Sequence, residues 1–216
     1  NRDLVDRAHM RIGLKLDDQP LNTHELESIA EHIWQIHNKY LITEIKSGLI
    51  IIDQHVAHER ILFEEAKNAM DGNGFTSQTI LFPQTVQFLP EEYEILVEIT
   101  HYLNKIGFRF RQFGDNTIII EGIPPGINWG NEHQIIREII DQYISAKKID
   151  PSFVHQIAAV YACKSAIKAG DPLKDAERRN LINRLFATEH PYYCPHGRPI
   201  IINLSIDELD KRFERH

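Results

Sequence analysis

The fold is decided by residues 40–60, YLITEIKSGLIIIDQHVAHER, where two strand patterns run directly into a helix pattern. YLITEI predicts a first strand, KSG supplies a turn, and GLIIID is apolar on both faces, which predicts a central strand. After Asp53 the spacing becomes helical, and His55, His58 and Glu59 follow at once. Potential metal ligands are therefore concentrated where a buried strand gives way to a helix.

The segments on either side of this stretch predict a mixed α+β fold with an inserted unit. Residues 22–40 have helical spacing and predict an amphipathic helix, whereas residues 1–10 lack periodicity and are interpreted as a tag or linker remnant. Residues 85–148 contain a short strand, a helix, a hairpin and a second helix, and we expect them to form an external subdomain. Residues 11–84 and 149–216 would form the sheet-bearing subdomain that carries the polar cluster.

The last third of the chain predicts helices separated by a stiff loop and a strand. Residues 151–170 predict an apolar helix that ends at Gly170, and an amphipathic helix follows. The loop 191–199, PYYCPHGRP, leads into the strand IIINL. Ser205 and Glu208 have the spacing of a capping box, which predicts a final helix.

Composition and charge limit the classes of function. The chain has 216 residues, 42% of them apolar and 25% charged, which is ordinary for a soluble globular protein. It has no apolar run long enough for a membrane span and no signal-peptide pattern, and its two cysteines fit a reducing compartment. The formal net charge of −7 repels phosphate on average. If nucleic acid is the substrate, something else must hold the protein there.

Two local pairs and one isolated cysteine carry a metal-site hypothesis. His55 and Glu59 lie four residues apart on one helical face, which fits a metal half-site but is equally typical of a surface pair. Cys194 and His196 lie two apart in the stiff loop, where both can bind one ion, although a buried cysteine beside a surface histidine is a common alternative. Cys163 on an apolar helix is, by itself, better explained as a small hydrophobe. Together these residues suffice for one zinc-like site.

Asp53 admits two interpretations. By itself it is best explained as the N-cap of the helix that follows. With the other ligands it extends the site to two neighbouring ions about 3.5–4 Å apart, which would clamp a phosphodiester and activate water. Sulfur ligands favour zinc, and a carboxylate-rich position favours manganese or magnesium. Arg198 and Lys164 stand beside predicted ligands, where they could contact phosphate or neutralise carboxylates.

Four motifs, in order along the chain, resemble those of the MutL mismatch-repair family. DQHVAHERILFEE, residues 53–65, resembles the endonuclease motif DQHA-x2-E-x4-E, with Val56 in place of the usual alanine. ACK (162–164), CPHGRP (194–199) and FER (213–215) resemble the A-C-R/K, C-P-H-G-R-P and F-x-R motifs of that family. The resemblance covers nearly the whole chain, as a MutL C-terminal domain without the ATPase half.

The resemblance implies a metal-dependent endonuclease that nicks duplex DNA with little sequence preference and works as a homodimer. Asp53 and Glu59 would be the catalytic acids, and the ions would be Zn²⁺, Mn²⁺ or both, with Mg²⁺ as an alternative. The implied metal ligands are His55, Glu59, Cys163, Cys194 and His196. ATP would act only through the absent N-terminal domain, and a MutS-type mismatch-recognition protein would be a partner. The expected place of action is the bacterial cytoplasm, at the nucleoid.

A further short stretch, QTILFP at residues 78–83, is relevant to how a chain with a negative net charge could be held at DNA. By itself it fits the entry of a strand that Pro83 ends. Within a MutL relative it resembles the motif that binds the replication sliding clamp. The residues implied in clamp binding are Gln78, Ile80, Leu81, Phe82 and Pro83. Tethering raises the effective concentration on DNA without any new contact to it, which an acidic nuclease would need.

The same residues are compatible with a second class of function. A dimerisation and clamp-docking scaffold could use its zinc ligands purely to stabilise the fold. The substitution Asp53→Asn separates the two classes, because only the enzyme would lose activity while it keeps its fold and its metal.

Overall fold

The computed structural model describes residues 32–127, 130–146 and 151–215. Among these residues, six helices and two antiparallel sheets form, which confirms the mixed α+β class. The chain divides into two compact units, of which one comprises the residues up to Ile61 and from Ile167 onward, and the other Leu62–Ala166. The second unit is thus inserted into the sequence of the first. The subdomain boundaries given above stay predictions, and the interpretations of residues 1–10 and 22–31 fall outside the described residues.

The first unit is built on a four-stranded antiparallel sheet in the order β1-β2-β3-β7. Its strands are β1 (Trp34–Ile36), β2 (Tyr40–Ile45), β3 (Gly48–Asp53) and β7 (Ile201–Ser205). Its helices are α5 (Asp175–Phe186), α6 (Ile206–Arg212) and the start of α1 (Gln54–Asp71). As predicted, β3 lies between two neighbours, and Ile50 and Ile52 are fully buried because apolar side chains leave water on that face.

The helix predicted over 22–40 is wrong from Trp34 onward, where the chain forms a hairpin. Ile36 pairs with Tyr40 across a turn in which His37 and Asn38 both have φ of +50°. This left-handed conformation ends any helix, and asparagine tolerates it better than most residues. The apolar spacing in this stretch fits a strand as well as a helix, and pairing with β2 decides in favour of the strand.

Gly48 at the start of β3 fixes the approach of β7. Its φ is +153°, and a Cβ atom there would lie 2.1 Å from the carbonyl oxygen of Leu204. Only glycine lets the two backbones come this close. The pairing it permits joins Gly48 to Ser205 and Ile52 to Ile201, so β3 and the strand that follows the CPHGRP loop lie side by side.

The second unit contains a three-stranded antiparallel sheet in the order β4-β6-β5. Its strands are β4 (Gln78–Gln87), β5 (Arg109–Gln112) and β6 (Thr117–Ile123). Its helices are α2 (Pro90–Lys105), α3 (Glu132–Ala146), α4 (Pro151–Ser165) and the remainder of α1. A separate hydrophobic core, which includes Leu103, Phe108 and Tyr161, holds this unit together.

Three predicted element ends can be compared with the structure. The prediction that Gly170 ends an apolar helix is wrong, because α4 ends at Ser165 and Gly170 lies in a loop, where its N–H donates to the Asn38 carbonyl. Pro83 does not end its strand, since β4 continues through a bulge between Thr79 and Gln84. The cap at Ser205 is confirmed: its hydroxyl accepts a hydrogen bond from the Glu208 N–H at 3.2 Å. No helix in the described ranges has the length and apolarity to cross a membrane.

Candidate metal centre

Glu59 is a carboxylate buried in the second turn of α1. The residue has no exposed surface, which is costly for a charge unless a partner compensates it. One partner is Arg198, whose Nη2 donates to Glu59 Oε2 at 3.0 Å. The other oxygen, Oε1, has no hydrogen-bond donor among the described residues. A buried carboxylate oxygen of this kind is open to a cation.

The CPHGRP loop brings a thiol and an imidazole to the same place. Cys194 donates its N–H to the Arg198 carbonyl at 2.9 Å, and Gly197, with φ of +79°, donates to the Cys194 carbonyl at 2.9 Å. A bridge between Tyr193 and Pro199 closes the loop into a narrow hairpin. The loop therefore holds Cys194 and His196 on one tight turn, with the thiol buried and the imidazole half exposed.

Glu59, Cys194 and His196 form one cluster. Their ligand atoms, a carboxylate oxygen, a sulfur and a ring nitrogen, all lie within 4.8 Å of one another. His196 Nδ1 approaches Glu59 Oε1 to 3.1 Å without the orientation of a hydrogen bond, as two ligands facing a common point would. Thiolate, imidazole and carboxylate are the donor set that Zn²⁺ prefers in proteins. The residues present therefore fit a divalent cation.

Asp53 sits at the junction between β3 and α1. Its Oδ1 accepts hydrogen bonds from the N–H groups of His55 at 3.0 Å and Val56 at 3.1 Å, so Asp53 caps the helix. Its own N–H donates to the Ile200 carbonyl at 3.0 Å, which ties it to the chain just after the CPHGRP loop. The capping interpretation is thus confirmed, and the catalytic interpretation stays a prediction.

His55 and His58 both contact the backbone of Ile167. The carbonyl of Ile167 lies 2.7 Å from His55 Nδ1, and the N–H of Ile167 donates to His58 Nδ1 at 3.0 Å. A carbonyl can only accept, so His55 carries its proton on Nδ1 and leaves Nε2 free for a cation. Burial, the charge of Arg184 and the neighbouring His55 lower the pKa of His58 from 6.5 to about 4, which keeps that ring neutral at physiological pH.

Gln54, between the capping aspartate and the first histidine, is fully buried. Its Nε2 donates to the carbonyls of Asn38 at 2.7 Å and Asp171 at 3.0 Å, and its Oε1 accepts from Gln35 Nε2 at 2.7 Å. Gln35 in turn accepts the N–H of Leu173 at 3.0 Å. The amide of Gln54 therefore ties the β1–β2 hairpin to residues 167–173, the segment that also contacts the two histidines.

The two basic residues beside predicted ligands pair with carboxylates. Arg198 contacts Glu59, and its pKa, which burial lowers, is held above its ordinary value by the Cys194 thiol and the charges of Glu59 and Asp53. In the second unit, Lys164 Nζ lies 2.7 Å from Glu138 Oε2, and this hydrogen bond raises the lysine pKa against the effect of burial. In the structure both residues neutralise carboxylates.

The structure thus brings together three of the five predicted metal ligands. His55 lies one turn before Glu59 on α1, with Nδ1 engaged by the Ile167 carbonyl. Cys163 lies in α4 of the second unit, with a free and exposed thiol. Its role as a ligand stays a prediction. Sequence reasoning missed the roles of Gln54 and of His58, and the one available signal for Gln54 was a glutamine directly after the strand GLIIID, at the first position of the helix.

The QTILFP segment forms the first part of β4 in the second unit. Leu81 is 89% exposed and Phe82 75% exposed, values that are unusual for large apolar side chains. Together with Gln78, they line an open groove that also includes Ile123 and Ile127. The segment is therefore available to a partner.

Comparison with known proteins places this chain in a family. The family described as "MutL C terminal dimerisation domain" matches residues 33–173. The "DNA mismatch repair protein MutL" of Pelodictyon phaeoclathratiforme is 50% identical over 200 residues, which cover 92% of this chain and 32% of the relative. That of Prosthecochloris aestuarii is 44% identical over 216 residues, which cover 100% of this chain and 34% of the relative.

The fold and the site define the class of protein: it is a mixed α+β domain of two units with a candidate metal centre. The chain belongs to the MutL C-terminal dimerisation domain family. It spans about a third of the length of the curated relatives it matches.

Proposed function

We propose that this chain is the metal-dependent endonuclease domain of a DNA mismatch-repair protein, and that it nicks duplex DNA with little sequence preference. The observation that carries the proposal is the cluster of Glu59, Cys194 and His196 within 4.8 Å. Two of these three residues are buried, so their ligand atoms are held in place before a cation binds. The two relatives named above carry the name of a mismatch-repair protein and come from bacteria, which supports action in the bacterial cytoplasm at the nucleoid.

The chemistry of the site fits phosphodiester hydrolysis. Zn²⁺ or Mn²⁺, or alternatively Mg²⁺, would supply Lewis acidity toward a phosphate oxygen and toward the attacking water. Glu59, Cys194 and His196 would hold the ion, His55 would add its free Nε2, and Cys163 would be a further ligand. Asp53, at the start of α1, would orient and deprotonate the water. Arg198, half exposed and next to Glu59, would face the phosphate as the substrate approaches.

The direct test of this proposal is nicking of supercoiled plasmid by the purified chain. We expect weak conversion to the open circular form with Mn²⁺, stronger conversion when the sliding clamp is loaded on the plasmid, and none in EDTA. No conversion under any divalent cation, with clamp and DNA both present, would refute the endonuclease function. The dimerisation and clamp-docking scaffold with structural zinc would then be the remaining explanation.

The solvent-facing side of the first sheet supports a homodimer. In the register of the sheet, Trp34 lies beside Ile42, and Ile42 beside Ile51, so apolar residues form a row across three strands. On β1, Trp34 is 50% exposed and Ile36 41% exposed. A second copy of this chain would cover this apolar face, and the description of the family as a dimerisation domain agrees with that.

Placing a charge on this face should weaken the dimer. We expect Ile36→Glu to raise the dimer dissociation constant at least about tenfold, because a carboxylate would be buried without a partner. Sedimentation equilibrium measures the constant, and circular dichroism checks that the fold is kept. Val97→Glu is the matched control, since Val97 is 46% exposed on α2 of the second unit. Equal dissociation constants for wild type and Ile36→Glu would place the dimer interface elsewhere.

A sliding clamp would deliver the domain to DNA. The net charge of −7 opposes unaided binding to duplex DNA, and the exposed QTILFP segment provides an attachment point. Gln78 would fill a polar pocket of the clamp, Leu81 and Phe82 an apolar one beside Ile80, and Pro83 would follow them. A MutS-type protein would signal the mismatch, and ATP would act through an N-terminal domain beyond this chain.

Removing the phenyl ring of Phe82 should disrupt clamp binding alone. Because Phe82 is 75% exposed, we expect Phe82→Ala to change the free energy of unfolding by less than about 0.5 kcal/mol. We expect it to weaken binding to a bacterial sliding clamp at least about tenfold, measured by surface plasmon resonance. Val97→Ala, an equally simple truncation in the same unit, should bind like the wild type. Unchanged binding by Phe82→Ala would exclude this segment as the clamp site.

A further inference from the structure

The contacts of His58 differ from those of a metal ligand. Its Nδ1 accepts the N–H of Ile167 at 3.0 Å, so that nitrogen carries no proton and has no lone pair left for a cation. In a neutral ring the proton is then on Nε2. His55 has the opposite arrangement, because its Nδ1 must donate to the Ile167 carbonyl at 2.7 Å. Two histidines on adjacent turns of α1 are therefore fixed as opposite tautomers by one residue.

Ile167 links the two rings mechanically as well. Its N–H and its carbonyl are both used, one by each histidine, so a shift of its backbone away from His58 moves the carbonyl that orients His55. The chain just beyond it has separate anchors. Gly170 donates to the Asn38 carbonyl, and Gln54 donates to the Asp171 carbonyl. Loss of the His58 contact would therefore release Ile167 without freeing the whole segment.

We infer that His58 is a positioning residue: by accepting the Ile167 N–H, it holds the carbonyl that keeps His55 in the tautomer whose Nε2 can bind a divalent cation. The inference rests on the metal-binding part of the proposed function, in which His55 is a ligand. It does not depend on nicking. Partners that orient a ligating histidine through its second nitrogen typically contribute 10–100-fold to metal affinity.

Two amide substitutions at this position separate hydrogen bonding from packing. In His58→Asn the side-chain oxygen reaches about as far as Nδ1 does, so it can still accept the Ile167 N–H. In His58→Gln the oxygen reaches about as far as Nε2 and misses that N–H. His58→Leu removes the acceptor altogether, and His101→Leu, on the exposed side of α2, is the control for loss of a histidine elsewhere.

The measurements are the tautomer of His55 and the affinity for Zn²⁺, both on the 216-residue chain. Long-range ¹H–¹⁵N correlation spectra of the metal-free chain report which ring nitrogen carries the proton. Calorimetric titration with Zn²⁺, in competition with a chelator, gives the dissociation constant. We expect His55 to be protonated on Nδ1 in wild type, His58→Asn and His101→Leu, and to be a mixture of tautomers in His58→Gln and His58→Leu.

We expect the Zn²⁺ dissociation constant to rise about tenfold in His58→Gln and His58→Leu, and to stay within about threefold of wild type in His58→Asn. Equal affinities and equal His55 tautomers in the Asn and Gln variants would overturn the inference, because packing alone would then explain the role of His58. A wild-type His55 protonated on Nε2 would overturn it without any substitution. A chain that shows the expected pattern but never nicks DNA would refute the endonuclease and leave the positioning role intact.

Discussion

Asp53→Asn should reduce Mn²⁺-dependent nicking of supercoiled plasmid at least about 100-fold and leave the stability of the domain nearly unchanged. Asparagine caps helices about as well as aspartate does, so the hydrogen bonds from His55 and Val56 to position 53 are kept. What is lost is the negative charge, which a proton acceptor needs. The substitution therefore isolates the catalytic role of Asp53 from its structural one.

The matched control for this experiment is Asp71→Asn, at the other end of the same helix. Asp71 is exposed and lies in the second unit, so its neutralisation should affect neither nicking nor stability. Thermal unfolding and zinc content are measured for all three proteins. If Asp53→Asn nicks at more than half the wild-type rate, Asp53 is only a helix cap. If it loses its fold or its zinc together with nicking, the scaffold with structural zinc becomes the better explanation.

Gln54→Leu should lower the free energy of unfolding by about 3 kcal/mol. The leucine matches the glutamine in size but cannot replace its hydrogen bonds. The half-buried amide of Gln35 keeps only the Asp171 carbonyl as an acceptor, and the carbonyls of Asn38 and Asp171 lose one donor each. Each lost hydrogen bond contributes about 0.5–1.5 kcal/mol, and the losses of the three bonds add up to the expected effect. Urea unfolding in EDTA measures the effect without any contribution from bound metal.

Gln112→Leu provides the comparison, because Gln112 is an exposed glutamine at the end of β5. We expect it to change the free energy of unfolding by less than about 0.5 kcal/mol. A loss below about 1 kcal/mol in Gln54→Leu would show that the network contributes little to folding, and Gln54 would then need another role in its motif. Because residues 167–173 contact both this network and His55, we also expect Gln54→Leu to weaken Zn²⁺ binding.

The elements that sequence predicted correctly are those governed by neighbours in the chain. The helix that starts after Asp53 has a capping aspartate and helical spacing, and it begins where expected. The hairpin of β5 and β6 has alternating strands around the turn GDN and was also predicted. The predictions that were wrong concern elements whose limits depend on hydrogen-bonding partners from other segments of the chain. Residues 34–36 form a strand because β2 offers its backbone groups, and α4 ends at Ser165, before the glycine that was expected to end it.

The candidate metal centre, too, could be predicted from the sequence only in part. The sequence of this protein determined which donors are available, because the type and spacing of His55, Glu59, Cys194 and His196 already specify a carboxylate, a thiol and imidazoles for a divalent cation. Only the tertiary structure decided how they are held: it buried Glu59 against Arg198 and gave Gln54 and His58 their backbone partners. The physical reason is that a hydrogen bond to a backbone group more than a hundred residues away leaves no periodicity or local pattern in the sequence.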